Sequence, residues 1–221
     1  MKDKRQHINS SFNRILLITI LVFSFTSCRS IKTTSELEHQ FTKRQIRDLN
    51  KINNFFIEDV LKNEKFKKGI ENLYKTLYTV GLDTILKNVD YEKQKKLYDS
   101  ISTYTFDEIW KIMTNPSERF KGEQYIGPKY KGKFQLYLRQ LSNTNHFASD
   151  CFNNMEKSGD FNMLYFNTYI NNNFYKMNFD DFNNQLIISV YFLSMIDDNE
   201  RDQNIKKRMQ EIINRGKKHV N

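Results

Sequence analysis

Apolar residues recur three and four positions apart along most of this chain, the spacing that lines one face of an α-helix. Ser35-Glu36-Leu37-Glu38 has the pattern of a capping box and opens the first stripe: Leu37, Phe41, Leu49, Ile52, Phe56 and Val60, ending near Lys62. A second helix is predicted from Phe66 through Ile70, Leu73 and Leu77, with Gly81 as its stop. A short helix is expected over Asp83–Val89, and another is marked by Tyr91, Leu97 and Ile101. A second capping-box pattern, Thr105-Phe106-Asp107-Glu108, leads into Ile109, Trp110, Ile112 and Met113 on an apolar helical face, with Trp110 a core residue.

Periodicity returns near Lys133 with Phe134, Leu138 and Leu141. The aromatic-rich stretch from Phe161 to Tyr175, interrupted at Asn171-Asn172-Asn173, reads as two short helices. Asn178 is expected to cap an apolar helix from Phe179 to Ile196. Within it, Leu186–Phe192 is apolar enough to be a buried strand as well, and period alone does not choose. A last helix is predicted over Asn199–Arg215, with Ile205, Met209, Ile212 and Ile213 on one face. Only two prolines and seven glycines occur in 221 residues, too few turn formers for an all-β domain of this size. The fold class expected is all-α, a single irregular multi-helix domain.

The N-terminus has a different pattern. Lys2, Lys4, Arg5 and Arg14 precede an unbroken apolar run, Ile15–Phe25, and the small residues Thr26 and Ser27 then lead to Cys28. Charged, apolar and small segments in that order describe a secretory signal peptide. Phe25-Thr26-Ser27-Cys28 resembles a bacterial lipobox, in which the signal is cut before a cysteine that carries diacylglycerol; the usual Leu three positions earlier is Phe25 here. The run is shorter than the roughly 20 residues a spanning helix needs, although Arg29 and Lys32 would suit the flank of one. The resemblance implies lipidation at Cys28 and a membrane partner reached through that lipid. Arg29, where an Asp often signals inner-membrane retention, implies an outer-membrane lipoprotein facing the periplasm. The organisation expected is a signal peptide over 1–27, a lipidated cysteine and tether over 28–34, and a helical domain over 35–221.

Charge and cysteine content narrow the partners. The formal net charge is +9, of which +3 falls within residues 1–27, leaving +6 on the remainder. An envelope address argues against nucleic acid and for an envelope protein or an anionic cell-wall component. With Cys28 lipidated, Cys151 has no disulfide partner and reads as a small buried hydrophobe.

Residues 115–132 (NPSERFKGEQYIGPKYKG) break the helical pattern and hold both prolines and three of the glycines. Arg119, Lys121, Lys129 and Lys131 alternate there with Phe120, Tyr125 and Tyr130. Long loops without secondary structure in compact domains are usually functional or disordered, and basic and aromatic groups together suit recognition of a protein, sugar or phosphate. This is the candidate partner-binding loop.

Signals for chemistry are sparse. There is no Gly-x-Ser-x-Gly elbow, Ser-x-x-Lys pair, His-Glu-x-x-His or phosphate loop. His146 and Asp150 are four apart, but two ligands do not make a zinc site. Asp197-Asp198-Asn199-Glu200-Arg201-Asp202 has Arg201 where a calcium loop needs a ligand, and reads as acids favouring the start of the last helix. No catalytic residue, metal or cofactor is assigned. Two functions follow: a non-catalytic binding module, such as an immunity or inhibitor protein or an accessory subunit of an envelope complex, or an envelope hydrolase acting on peptidoglycan or glycans. Converging carboxylates in a pocket would favour the hydrolase; a shallow face of Tyr and Lys, without buried acids, would favour the binder.

Overall fold

A long helix with every side chain from Phe182 to Asp197 buried organises the molecule. The computed structural model describes residues 30–80, 89–114 and 124–218, and the unit discussed below begins at Lys32. In chain order the helices are α1 (Ser35–Gln40), α2 (Lys43–Phe55, continued by a π-helical turn, Phe56–Val60), α3 (Phe66–Val80), α4 (Tyr91–Ser100) and α5 (Thr103–Ile109). The strands β1 (Trp110–Thr114) and β2 (Gln124–Pro128) follow, then α6 (Lys133–Leu141), α7 (His146–Ser158), α8 (Met163–Asn173) with a 3-10 turn (Phe174–Lys176), and α9 (Phe182–Lys218). The domain is mostly helical, as the spacing of apolar residues predicts.

Helix α9 packs against α2, α4, α7, α8 and β2. Leu186–Phe192 is therefore helix, and its burial on all sides explains why no stripe is visible in it. The buried polar side chains of α9 are engaged. Ser189 donates to Asn53 Oδ1 at 3.1 Å, Ser194 accepts Trp110 Nε1 at 2.8 Å, and Asn183 Oδ1 accepts the hydroxyls of Tyr137 and Thr34. Around it the aromatic contacts are dense: Phe166 stacks on Tyr191 at 4.5 Å, and Phe56 lies 5.5 Å from Phe192.

Several boundaries differ from those the pattern predicts. The first cap is Thr34, whose hydroxyl accepts the Leu37 N–H, and not Ser35. The expected continuous stripe breaks at Phe41, because Thr42 and Gln45 form a reciprocal capping box that starts α2. Ser102 caps α5, with Thr105 supplying the N–H it accepts, so Thr105 lies inside the helix it was expected to open. Asn178 accepts the Asp180 N–H in the turn before α9 and does not cap it. No break separates the last two predicted helices: α9 runs through Asp197 and Asp198, and spans about 55 Å at 1.5 Å per residue.

The largest departure is at Trp110. The expected helix ends at Ile109, and Trp110 is extended (φ −120°, ψ 158°). It begins an antiparallel hairpin with the register Trp110↔Pro128, Ile112↔Ile126 and Thr114↔Gln124. The indole is fully buried in a triangle of mutually contacting rings with Tyr98 and Phe106, each pair of centroids 5.3 Å apart. Turning the chain into a strand there places the ring against both aromatics and its N–H on Ser194. The candidate loop is correspondingly shorter, since 124–128 is strand. Most of the helix expected over Asp83–Val89 lies outside the described residues, as do the signal segment, Cys28 and residues 115–123.

Candidate functional site

The hairpin and the turn that follows it bring the described half of the predicted recognition loop to the surface. On β2 the side chains of Gln124 and Tyr125 are exposed while Ile126, Gly127 and Pro128 are buried. Tyr125 is 39% exposed and Tyr130 59%, and Lys129 and Lys131 are exposed beside them. The Lys131 ammonium lies 5.4 Å from the centre of the Tyr130 ring, within range of a cation–π contact. Arg119, Phe120 and Lys121, the other expected members, lie outside the described residues.

The backbone carrying these side chains is held at several points. Lys129 N–H donates to Ile109 O at 2.9 Å, closing the base of the hairpin on the end of α5. Gly132 N–H donates to Lys129 O at 3.0 Å, forming a tight turn whose third residue, Lys131, has φ +58°. A left-handed lysine is unusual; its N–H is taken up by the Gln135 side chain. A Cβ at Gly132 would sit 2.6 Å from Glu108 O, so only glycine lets the turn approach α5. Glu108 in turn accepts the Lys133 N–H at 2.8 Å and starts α6. Exposed Tyr and Lys side chains thus stand on fixed backbone, an arrangement that reduces the entropy lost on binding.

Behind the hairpin lies a carboxylate pair that the sequence pattern misassigned. Asp197 and Asp198 sit in the interior of α9, not at a helix start, so the dipole explanation fails. Asp197 is fully buried. Arg201, one turn on, engages both carboxylate oxygens, and the Tyr91 hydroxyl donates to Oδ2 at 2.9 Å. Burial pushes the Tyr91 phenol well up, and the adjacent Asp197 adds to it. Asp198 faces β2, where its Oδ1 accepts the Ile126 N–H at 3.3 Å. Burial pushes its carboxyl up to about 7; the charges of Asp160 and Asp197 act in the same direction, against the Ile126 N–H and Arg201. Nearby Gln94 donates to Tyr98 Oη and Leu193 O, leaving its Oε1 buried without a hydrogen bond.

Other candidate groups are explained by structure. Cys151 is buried, and burial pushes its thiol far above the range in which it ionises near neutrality. His146 Nε2 lies 3.5 Å from Asp150 Oδ2 with the imidazole largely exposed, an i, i+4 surface pair. Among the described residues no three His, Cys, Asp or Glu side chains gather in a way that could hold a metal ion. None of the helices described is long and apolar enough to cross a membrane.

The two criteria set by the sequence divide. The exposed Tyr and Lys face is present, yet buried acids are present too. Three of their four oxygens are already committed, those of Asp197 to Arg201 and Tyr91, and Asp198 Oδ1 to Ile126. An i, i+4 Asp–Arg spacing was visible at 197 and 201, and it was the available signal that this acidic run is paired inside a helix. Comparisons with protein-family models, with curated proteins and with solved structures found no match.

Proposed function

We propose that this chain is a bacterial lipoprotein whose helical domain is a non-catalytic binding module, an immunity or inhibitor protein or an accessory subunit of an envelope complex. Cys28 carries the lipid, and the domain faces the periplasm from the outer membrane. The observation that carries the binding role is the presentation of Tyr125, Lys129, Tyr130 and Lys131 on a backbone fixed at Ile109, Glu108 and Gln135. Tyrosines on rigid backbone provide contact area at small entropic cost, and the lysines select an acidic partner surface. Lys32 and Thr34, within the expected tether, hydrogen-bond to Asn50 and Asn183.

A second reading, an envelope hydrolase, is favoured by one feature. A carboxyl poised near neutrality, as at Asp198, suits a general acid. Photo-crosslinking separates the two. A photoreactive residue at position 130 of the membrane-anchored full chain should give a discrete adduct with one envelope protein. If it gives none while Asp198→Asn abolishes a peptidoglycan-cleaving activity of the purified chain, the hydrolase reading replaces the binder.

A further inference from the structure

A groove between α3 and the end of α8 lies apart from the hairpin and has the composition of a small-ligand site. Its volume is about 330 Å³, at the lower end of the roughly 300–1,000 Å³ range of ligand pockets. Glu71, Tyr74, Lys75 and Thr79 form one wall, at the spacing of a single face of α3. Asn171, Phe174 and Tyr175 form the other.

The two walls offer different things. Phe174 is half-buried and packs on Phe179 at 4.8 Å, which anchors the junction to the core. Tyr175, edge-on to it at 5.6 Å, is 93% exposed, so its ring contributes almost nothing to folding where it stands. The Tyr74 hydroxyl donates to Asn167 at 3.0 Å, which fixes the floor against α8. Lys75 Nζ lies 2.7 Å from Glu71 Oε1, and Lys68 lies 3.2 Å from Oε2. Hydrogen bonds from Lys75 and Lys68 hold the Glu71 carboxyl below its ordinary range, and Glu71 holds the Lys75 ammonium above its own. A permanent acceptor and a permanent donor therefore stand side by side. The Asn171 amide, exposed in the groove, makes no hydrogen bond to a described side chain and adds one more of each kind.

These features suit one ligand chemistry better than others. A free anion would meet Glu71, a free cation would meet Lys75, and a purely apolar ligand would strip water from both. A sugar ring satisfies all of them. Its C–H face lies against the negative face of an aromatic ring, and its adjacent hydroxyls pair with adjacent donors and acceptors. We propose that this groove binds an uncharged saccharide, with one pyranose ring stacked on Tyr175 and its hydroxyls held by Asn171, Glu71 and Lys75. The inference does not depend on the hairpin's role or on the lipid anchor.

The test uses the purified full chain in detergent, with chitotetraose and cellotetraose as probes, followed by isothermal titration and saturation-transfer NMR. Wild type is expected to bind at least one of them, with transfer from aromatic protons to one sugar face. Tyr175→Ala should weaken binding about tenfold, and Tyr175→Trp should restore it. Asn171→Ala should weaken it independently, and thermal melts of all three variants should match wild type. Failure of wild type to bind either probe, or equal binding by Tyr175→Ala, overturns the proposal. Loss of saccharide binding in a variant of Tyr125 and Tyr130 would also overturn it, because the site would then lie on the hairpin.

Discussion

Asp198 Oδ1 accepts the backbone N–H of Ile126 at 3.3 Å, tying the middle of the longest helix to the strand that leads into the exposed turn. That oxygen needs no charge to accept the bond. Burial disfavours the carboxylate, and the neighbouring Asp160 and Asp197 disfavour it further, so the folded group titrates near 7 and not near its unfolded value of about 3.8.

For an acid raised on folding, the contribution to stability is full below the unfolded value and is lost as pH rises through the folded one. Asp198→Asn keeps an acceptor for Ile126 and removes the charge. The variant should therefore gain on wild type from pH 4 to pH 7 and then level off. A tenfold change in an ionisation constant corresponds to about 1.4 kcal/mol, and partial exposure reduces the plateau to about 2 kcal/mol. Chemical denaturation at a series of pH values measures it. A difference independent of pH would contradict the burial of this carboxyl.

Asp48 should behave in the opposite sense. Burial pushes its carboxyl up, but the Ser102 N–H, the Thr105 hydroxyl and the Ser102 hydroxyl, at 2.7 to 3.0 Å, outweigh burial and hold it below its ordinary value. Its stabilisation is present above the unfolded value and fades as pH falls through the lower, folded one. Asp48→Ala strands those donors under α5 and should cost about 3 kcal/mol at pH 7, measured by urea unfolding.

Gly132→Ala tests whether the turn is held as tightly as its contacts imply. A methyl group there meets Glu108 O and the Lys129 side chain. The change should cost about 1–3 kcal/mol, the range for overpacking. Amide exchange should rise at Lys129 and Lys133 before it rises in α9.

Much of this architecture was legible in the sequence, and the exceptions have physical causes. Helices α3, α4, α6 and the first half of α9 follow the spacing of their apolar residues, because each buries a stripe or is surrounded. The hairpin was hidden because Ile109, Trp110, Ile112 and Met113 also satisfy a helical period. What decides for strand is tertiary, the packing of the indole against the Tyr98–Phe106 pair with its N–H on Ser194. The Asp197–Asp198 pair looked like a helix start because acids favour one. Its partners Tyr91 and Ile126 are distant in sequence, and no local pattern announces them. The turn containing Tyr130 was legible as a surface because residues 115–132 hold both prolines and three of the seven glycines.

Lipidation at Cys28 is a separate expectation that rests on the basic, apolar and small segments before it. Radiolabelled palmitate should be incorporated by cells producing wild type and not by those producing Cys28→Ser. Equal labelling would remove the lipoprotein assignment while leaving the domain's binding role open to its own test.

The most direct test of that role replaces Tyr125, Lys129 and Tyr130 together with Ala. All three are exposed, so thermal stability should stay close to wild type, within about 0.5 kcal/mol per position. Wild type and variant are then compared, at equal amounts, in pull-downs from an envelope extract, and the co-purifying protein is quantified. Recovery of that protein should fall by about tenfold or more in the variant, the effect of losing central aromatic contacts. Undiminished recovery by a folded variant would show that the turn only connects β2 to α6, and would contradict the account.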